Sequence, residues 1–337
     1  VRRATGGDAS FRQVEHDRTI VFGRDAIARA GDLLGDGFVL LSTARSRASA
    51  PGVVELAGSV IDVPGGRVDE IAAALRPAVS GERLVALGGG RVIDVAKALA
   101  AADPPRSVIA IPTTLSSAEM TAFHRQASGV ASGTRHVRPG VVINDPRLSA
   151  SQPADGLAAS TGNALGHAVV AVFSLASNPL AAAAGRAAAQ RLVRGWAGPQ
   201  PDRDELALGA LLGGWAVDRS GLGPHHAICQ TLVRVAGVGH AQANVAMLES
   251  SVAGIRRRLP EAVAQLESEL GVDLERFARG LREQAGVGRL DALAEDAAMR
   301  ERVARAAEGR PELGRVPPAP ELDELRAIYG AAAAPGG

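Results

Sequence analysis

One stretch limits the fold more than any other: an apolar run at 83–87 (RLVAL) enters Gly88, Gly89 and Gly90 and then a helical pattern over 92–101. A run apolar on both faces fits the interior of a parallel sheet. The same alternation recurs on either side of it. Strands are expected at 19–22, 38–42, 58–63 and 107–111, with helices at 25–34 and 67–76, a rhythm that argues for a doubly wound α/β sheet. Residues 121–143 lack helical periodicity and carry several glycines, so a hairpin with its tip at 128–133 is expected there.

The three glycines also point to chemistry. They allow close backbone approach, and a helix N-terminus behind them offers unpaired N–H groups and positive potential, the arrangement that holds phosphate. A tight strand-to-helix turn would need the same residues. What favours a dinucleotide is Asp94 and Lys97 one turn further on. Of 37 basic side chains, Lys97 is the only lysine, and an ammonium retained where every other basic residue is arginine points to a need that guanidinium does not meet. Thr113 and Thr114 follow the strand at 107–111, at the end where open α/β sheets bind ligands.

From about residue 151 the texture changes to Ala- and Leu-rich helices, so the chain divides into an α/β dinucleotide-binding domain over 1–150 and an all-helical domain over 151–337. The helical part contains TGNALGH (161–167) and PHHAICQTLVRVAGVGHAQAN (224–244). Asn163 and His167 stand at i and i+4 on one predicted helix, and His226 and His240 flank a glycine turn. One histidine in a core is usually structural. Three with an asparagine, at compatible spacings, read as a site. Three imidazoles suit Zn²⁺ or Fe²⁺, but a carboxamide is a poor fourth ligand.

Composition narrows the partners. The chain is 337 residues long, 46% hydrophobic and 22% charged, with formal charge +1, so no basic field favours nucleic acid or an anionic membrane. The apolar stretch 206–217 is too short to span a bilayer, and residues 1–10 lack the apolar core of a signal peptide. A single cysteine, Cys229, rules out an internal disulfide and fits a reducing cytoplasm. The alanine- and glycine-rich end, 331–337, is expected to fray.

Several of these fragments coincide with one family. GGGRVIDVAK (88–97), PTTLSSAEMT (112–121), NDPRL (144–148), TGNALGHAV (161–169), HHAICQTL (225–232) and GHAQAN (239–244) occur in family order, and the chain resembles the iron-containing alcohol dehydrogenase superfamily, within it most closely the maleylacetate reductases. The resemblance implies an α/β dinucleotide-binding domain followed by a helical domain, with the active site in the cleft. It implies a pyrophosphate loop at Gly88–Gly90 and a cofactor cleft lined by Thr113 and Thr114. The family's four metal positions fall on Asn163, His167, His226 and His240. Metal-dependent members carry aspartate at the first. Asn163 matches the reductases, regarded as working without metal. Gln230 and Asn244 stand where the reductases usually have histidine, Asp94 where they have glycine, and Arg91 where serine is common; at Asn244 and Asp94 the chain looks like the alcohol dehydrogenases.

The implied function is NAD(P)H-dependent reduction of the conjugated C=C of maleylacetate, metal-independent, with a small-molecule substrate and a homodimer as the expected assembly. Hydride addition to that alkene turns the neighbouring ketone into an enolate, which histidine donors can stabilise. After the strand 38–42 the chain reads Ser42, Thr43, Ala44, Arg45, Ser46, Arg47, with no acid to hold a ribose 2′-hydroxyl, so NADPH should be accepted beside NADH. Rival readings are a metal-dependent alcohol dehydrogenase holding Fe or Zn on His167, His226 and His240, a lyase resembling dehydroquinate synthase, and a non-catalytic relative.

Overall fold

The structure is a computed structural model that describes residues 9–131 and 133–333. It divides into two compact units, Val1–Gln152 with Asp202–Gly214, and Pro153–Pro201 with Trp215–Gly337.

The first unit is built on seven strands: β1 (Phe11–Glu15), β2 (Arg18–Phe22), β3 (Phe38–Ser42), β4 (Ala57–Asp62), β5 (Arg83–Gly88), β6 (Ser107–Pro112) and β7 (Val141–Asn144), in the order β1-β2-β7-β6-β5-β3-β4. Among the described residues only β1 runs antiparallel, as a hairpin with β2. Adjacent residues of the central strands feed two cores, as the two-residue period of a strand requires. Val39, Leu41, Leu84 and Ala86 join the helices Val68–Leu75 and Gly90–Ala102 on one face. Phe38, Leu40, Val85 and Leu87 join Ala26, Leu34 and Val53 on the other. This two-sided burial is why the strands read as unbroken apolar runs.

Three expectations need correcting here. The helix expected at 25–34 is two short ones, Ala26–Arg29 and Gly31–Leu34, entered through Asp25 at φ 60°. The expected hairpin over 121–143 is absent: β7 pairs in parallel with β2 and β6, and the described residues of 121–140 contain no strand. Side chains hold that loop instead. Gln126 donates to the carbonyls of Thr134 and Arg135, and the Val137 N–H donates to His124 Nε2. One residue of the expected tip, Ser132, lies outside the described residues.

The third concerns residues 202–214, expected with the helical part but packed in the first unit. Arg203 donates to the carbonyls of Ser149 and Gln152, Arg24 pairs with Asp204 at 2.9 Å, and Ser117 Oγ donates to Ala210 O at 2.9 Å.

The second unit is all helix among its described residues. Its central element is Ala154–Phe173, a 20-residue helix whose length and hydropathy would suffice to cross a membrane but whose most apolar window is 83% buried inside the protein. Around it lie Pro179–Arg194, Pro224–Ala236, His240–Arg258, Leu274–Gln284 and Leu322–Ala333. The last of these covers 331–333 of the segment expected to fray; residues beyond it are outside the described set.

Candidate active site

In the first unit, the sheet order reverses beside β5. The chain steps outward from β3 to β4, then returns to lay β5 on the opposite side of β3. The crevice at such a reversal, at the carboxyl ends of the strands, is where open α/β sheets bind ligands. Ser42, Gly88 and Pro112 end the three neighbouring strands there, followed directly in the chain by Thr43, Gly89 and Thr113.

The glycine loop fits a dinucleotide phosphate. Gly89 caps the helix Gly90–Ala102 with no side chain, Val92 and Ile93 donate to Gly89 O, and among the described residues no acceptor takes the N–H of Gly90 or Arg91. A Cβ on Gly89 would lie 3.1 Å from the Thr114 side chain, and one on Gly90 2.9 Å from Ser116 Cβ. The glycines therefore also let the segment after β6 lie against the loop. Thr114 is half-buried beside Gly89, whereas Thr113 is fully buried with its Oγ1 3.3 Å from Ser46 Oγ.

Other expected cofactor residues are engaged inside the fold. Ser42 is buried and donates to Leu87 O at 2.7 Å, while Thr43 caps the helix Ala44–Ser49 by accepting from the Ser46 N–H. Lys97 is 0% exposed, and its ammonium donates to Asp94 Oδ1 (2.7 Å), Ala118 O (3.0 Å) and Phe123 O (2.7 Å). Three donors meet three acceptors. The need for a lysine at this position is met by ties from the helix behind the glycines to the segment that lies against them. The structure also brings in an acid that reading along the chain missed. Asp62, at the end of β4, is in register with Ser42, and Arg47 donates to it at 2.6 Å.

The second unit holds the polar quartet. Asn163 and His167 lie one turn apart on Ala154–Phe173, His226 on Pro224–Ala236, and His240 opens His240–Arg258. Gly166 makes the helix contact possible, since a Cβ there would sit 2.5 Å from the His225 ring. The helix Pro224–Ala236 is pinned from behind: Arg310 donates to Gln230 Oε1 (2.9 Å), Thr231 Oγ1 and Ala227 O, and Tyr329 Oη donates to Ile228 O. Arg310 and Tyr329 lie too far along the chain for spacing to have revealed them.

The rings of His167 and His226 stack, with centroids 4.5 Å apart and planes 6° from parallel. Both are buried, and neither ring nitrogen of His226, nor Nδ1 of His167, has a hydrogen-bond partner among the described residues. Burial, reinforced by the neighbouring histidines, drives the His226 pKa well below its usual value, and the same causes bring His167 to about 3. His225 falls to about 4 through burial, opposed by the Asn244 side chain; its Nδ1 lies 3.0 Å from Ser251 Oγ. Burial pushes the Cys229 thiol up, so it is not a poised nucleophile. His167, His225 and His226 are thus buried neutral imidazoles, whereas His240 is exposed. A buried polar atom without a partner is costly, and such atoms concentrate where a ligand completes them.

As a metal site the set fits poorly. Among the described residues no three His, Cys, Asp or Glu side chains converge to hold a metal ion, and the fourth member is a carboxamide.

Residues 157–309 match the model of the Fe-containing alcohol dehydrogenase family, C-terminal. The chain is 31% identical over 278 residues to the maleylacetate reductase of Pseudomonas aeruginosa, covering 75% of this chain and 78% of that one. The chain belongs to the Fe-containing alcohol dehydrogenase family. Membership makes it an NAD(P)-dependent oxidoreductase. Two solved structures of the family share its fold. The iron-containing alcohol dehydrogenase of Corynebacterium glutamicum superposes with a TM-score of 0.80 at 23% identity, covering 97% of each chain. The maleylacetate reductase of Rhizobium sp. strain MTP-10005 gives 0.78 at 24%, covering 96% of this chain and 97% of that one.

Proposed function

We propose that this family member reduces the conjugated C=C of maleylacetate, or a close 4-oxo-2-enoate, with NADH or NADPH and without a metal. The observation that carries the reading is His226, a buried neutral imidazole with both nitrogens unpartnered among the described residues, stacked on His167. Sequence likeness to a maleylacetate reductase over most of the chain supports the substrate class. Bound NAD(P)H supplies the hydride.

The chain's own groups do the rest. Hydride addition at the alkene carbon distant from the ketone moves the π electrons onto the ketone oxygen, and protonation of the adjacent carbon then restores the ketone. A neutral imidazole is suited to the intermediate charge, because its N–H donates to an enolate oxygen without first having to lose a salt bridge. His226 and His240 fill this role in our reading, with His167 and Asn163 orienting substrate or ring. The Gly90 and Arg91 N–H groups hold the cofactor phosphates. The carboxamide of Asn163, where metal-binding would be better served by a carboxylate, supports the metal-free form. A cytoplasmic homodimer completes the proposal.

The test is NAD(P)H oxidation against maleylacetate, simple aldehydes and ketones, with and without chelator. Chelator-resistant turnover of maleylacetate is expected. Activity confined to aldehydes and abolished by chelator would replace this reading with a metal-dependent alcohol dehydrogenase.

A further inference from the structure

The strand β7 ends on an uncommitted amide. Asn144 is 5% exposed, its backbone C=O accepts the Gly23 N–H at 3.0 Å, and among the described residues its side chain has no hydrogen-bond partner. Asparagine is depleted in strands, and a buried carboxamide left unpaired costs free energy that a leucine in its place would not. The sheet fixes where this amide stands. Gly88 is in register with Pro112, and Ala110 with Val142, so two residues beyond the latter pair Asn144 is level with Pro112 and Gly88, in one row across the carboxyl ends of β5, β6 and β7. Two strand spacings, about 10 Å, separate it from Gly88. Ile143 joins the core that holds Ala26 and Leu34, so by the alternation of a strand Asn144 faces the other side of the sheet, that of the helix Gly90–Ala102 behind the glycine loop.

We propose that Asn144 orients the cofactor by pairing with the carboxamide of the nicotinamide ring. A dinucleotide lies across the point where the strand order reverses, one half to each side of its pyrophosphate. With the phosphates at Gly88–Gly90, the adenosine half belongs to the β3 and β4 side, where Arg47 and Asp62 stand, and the nicotinamide half to the β6 and β7 side. The row from Gly88 through Pro112 to Asn144 leads that way. Two carboxamides are self-complementary, each giving an N–H and a C=O to the other. Such a pairing decides which face of the ring meets the substrate, because a ring turned over about its bond to the ribose would carry its carboxamide to the opposite side. The inference deepens the cofactor placement given above, on which it rests, and is independent of the substrate.

The test reads binding alone. Full-length wild type and Asn144→Leu are titrated calorimetrically with three probes: NADH, ADP-ribose, which lacks the nicotinamide, and reduced 3-acetylpyridine adenine dinucleotide, in which a methyl replaces the carboxamide NH₂. Wild type should bind the acetylpyridine form about tenfold more weakly than NADH. Asn144→Leu should lose about tenfold in affinity for NADH, keep its affinity for ADP-ribose, and no longer distinguish the two reduced forms. Without cofactor its Tm should hold or rise, because an apolar side chain has replaced an unpaired amide. Equal weakening of ADP-ribose, discrimination that survives in Asn144→Leu, or a lowered Tm with unchanged NADH affinity overturns the inference. If Asn144→Leu does not fold, Asn144→Ser and the discrimination shown by wild type decide it. A wild type that binds neither NADH nor ADP-ribose removes the cofactor placement and the inference with it, whereas NADH binding with discrimination unchanged by the substitution removes the role of Asn144 alone.

Discussion

The imidazoles of His167 and His226 lie face to face, 4.5 Å between centroids and 6° from parallel, with both nitrogens of His226 buried and unpartnered among the described residues. If this ring is the donor to the developing enolate, His226→Gln should lower kcat by about 100- to 1000-fold, the usual loss for a removed oxyanion donor. The KM for NADH should stay within about twofold. Steady-state kinetics with saturating maleylacetate decide it, and normal turnover would exclude His226 from the role.

Acid sensitivity follows from the same cluster. His167, His225 and His226 all have pKa values depressed by burial, so below about pH 6.5 the unfolded chain binds protons that the native state refuses. Stability from these groups is present above pH 6.5 and lost as pH falls. Between pH 6 and 5 the slope should approach three protons, about 4 kcal/mol per pH unit, as measured by urea unfolding. His226→Gln should reduce the uptake by about one proton.

Glu119 works in the opposite direction. Burial raises its pKa to about 7, so between pH 4.5 and 7 the native state holds a proton the unfolded chain has released, and stability falls as pH rises through that window. Glu119→Gln should therefore flatten the neutral side of the stability profile. A profile unchanged between pH 5 and 7 would show that the carboxyl is relieved of its burial cost.

Lys97→Met should cost about 3 kcal/mol, since it strands the carbonyls of Ala118 and Phe123 and leaves Asp94 unpaired. The effect should reach the cofactor, because the segment it releases leads back to Thr114 and Ser116, which lie against Gly89 and Gly90. A rise in the NADH KM of about tenfold is expected alongside the lowered Tm. A direct phosphate contact would instead raise KM without loss of Tm.

The Arg47–Asp62 pair should set the cofactor balance. Asp62 occupies Arg47 at 2.6 Å beside the end of β3. Removing the acid with Asp62→Asn frees the guanidinium for a 2′-phosphate, and kcat/KM for NADPH relative to NADH should rise about tenfold. An unchanged ratio would place the adenosine ribose elsewhere.

How much of this was legible in the chain depends on whether the cause is periodic or spatial. β3 and β5 were readable because all their residues except Arg83 are buried, and Asn163 and His167 because helical spacing alone puts them on one face. β1 was not. Its FRQVE is mostly exposed and carries no run of apolar residues, so nothing marks it until β2 offers an edge to pair with. The glycine- and valine-bearing segment 121–143 looked like a hairpin, yet its bonds run through Gln126 and His124 side chains. Lys97 stood out as the lone lysine, and Asp94 by its spacing, but the other two acceptors of Lys97, the carbonyls of Ala118 and Phe123, come from a loop whose path no spacing encodes. Asn244 stood out as a departure from the reductase pattern, and only the structure shows that its amide lies against His240, the residue one turn before it.

The return of Asp202–Gly214 to the first unit carries a consequence for how this chain is made. During synthesis the sheet is complete at residue 152, but the helix that bonds Ser117 and Arg24 is still some fifty residues from emerging. The α/β unit must wait, partly uncovered, while the long apolar helix Ala154–Phe173 is produced. A fragment ending at 152 should therefore be poorly soluble when expressed alone. A fragment of 1–152 joined by a short linker to 202–214 should fold, a difference that refolding yields would show.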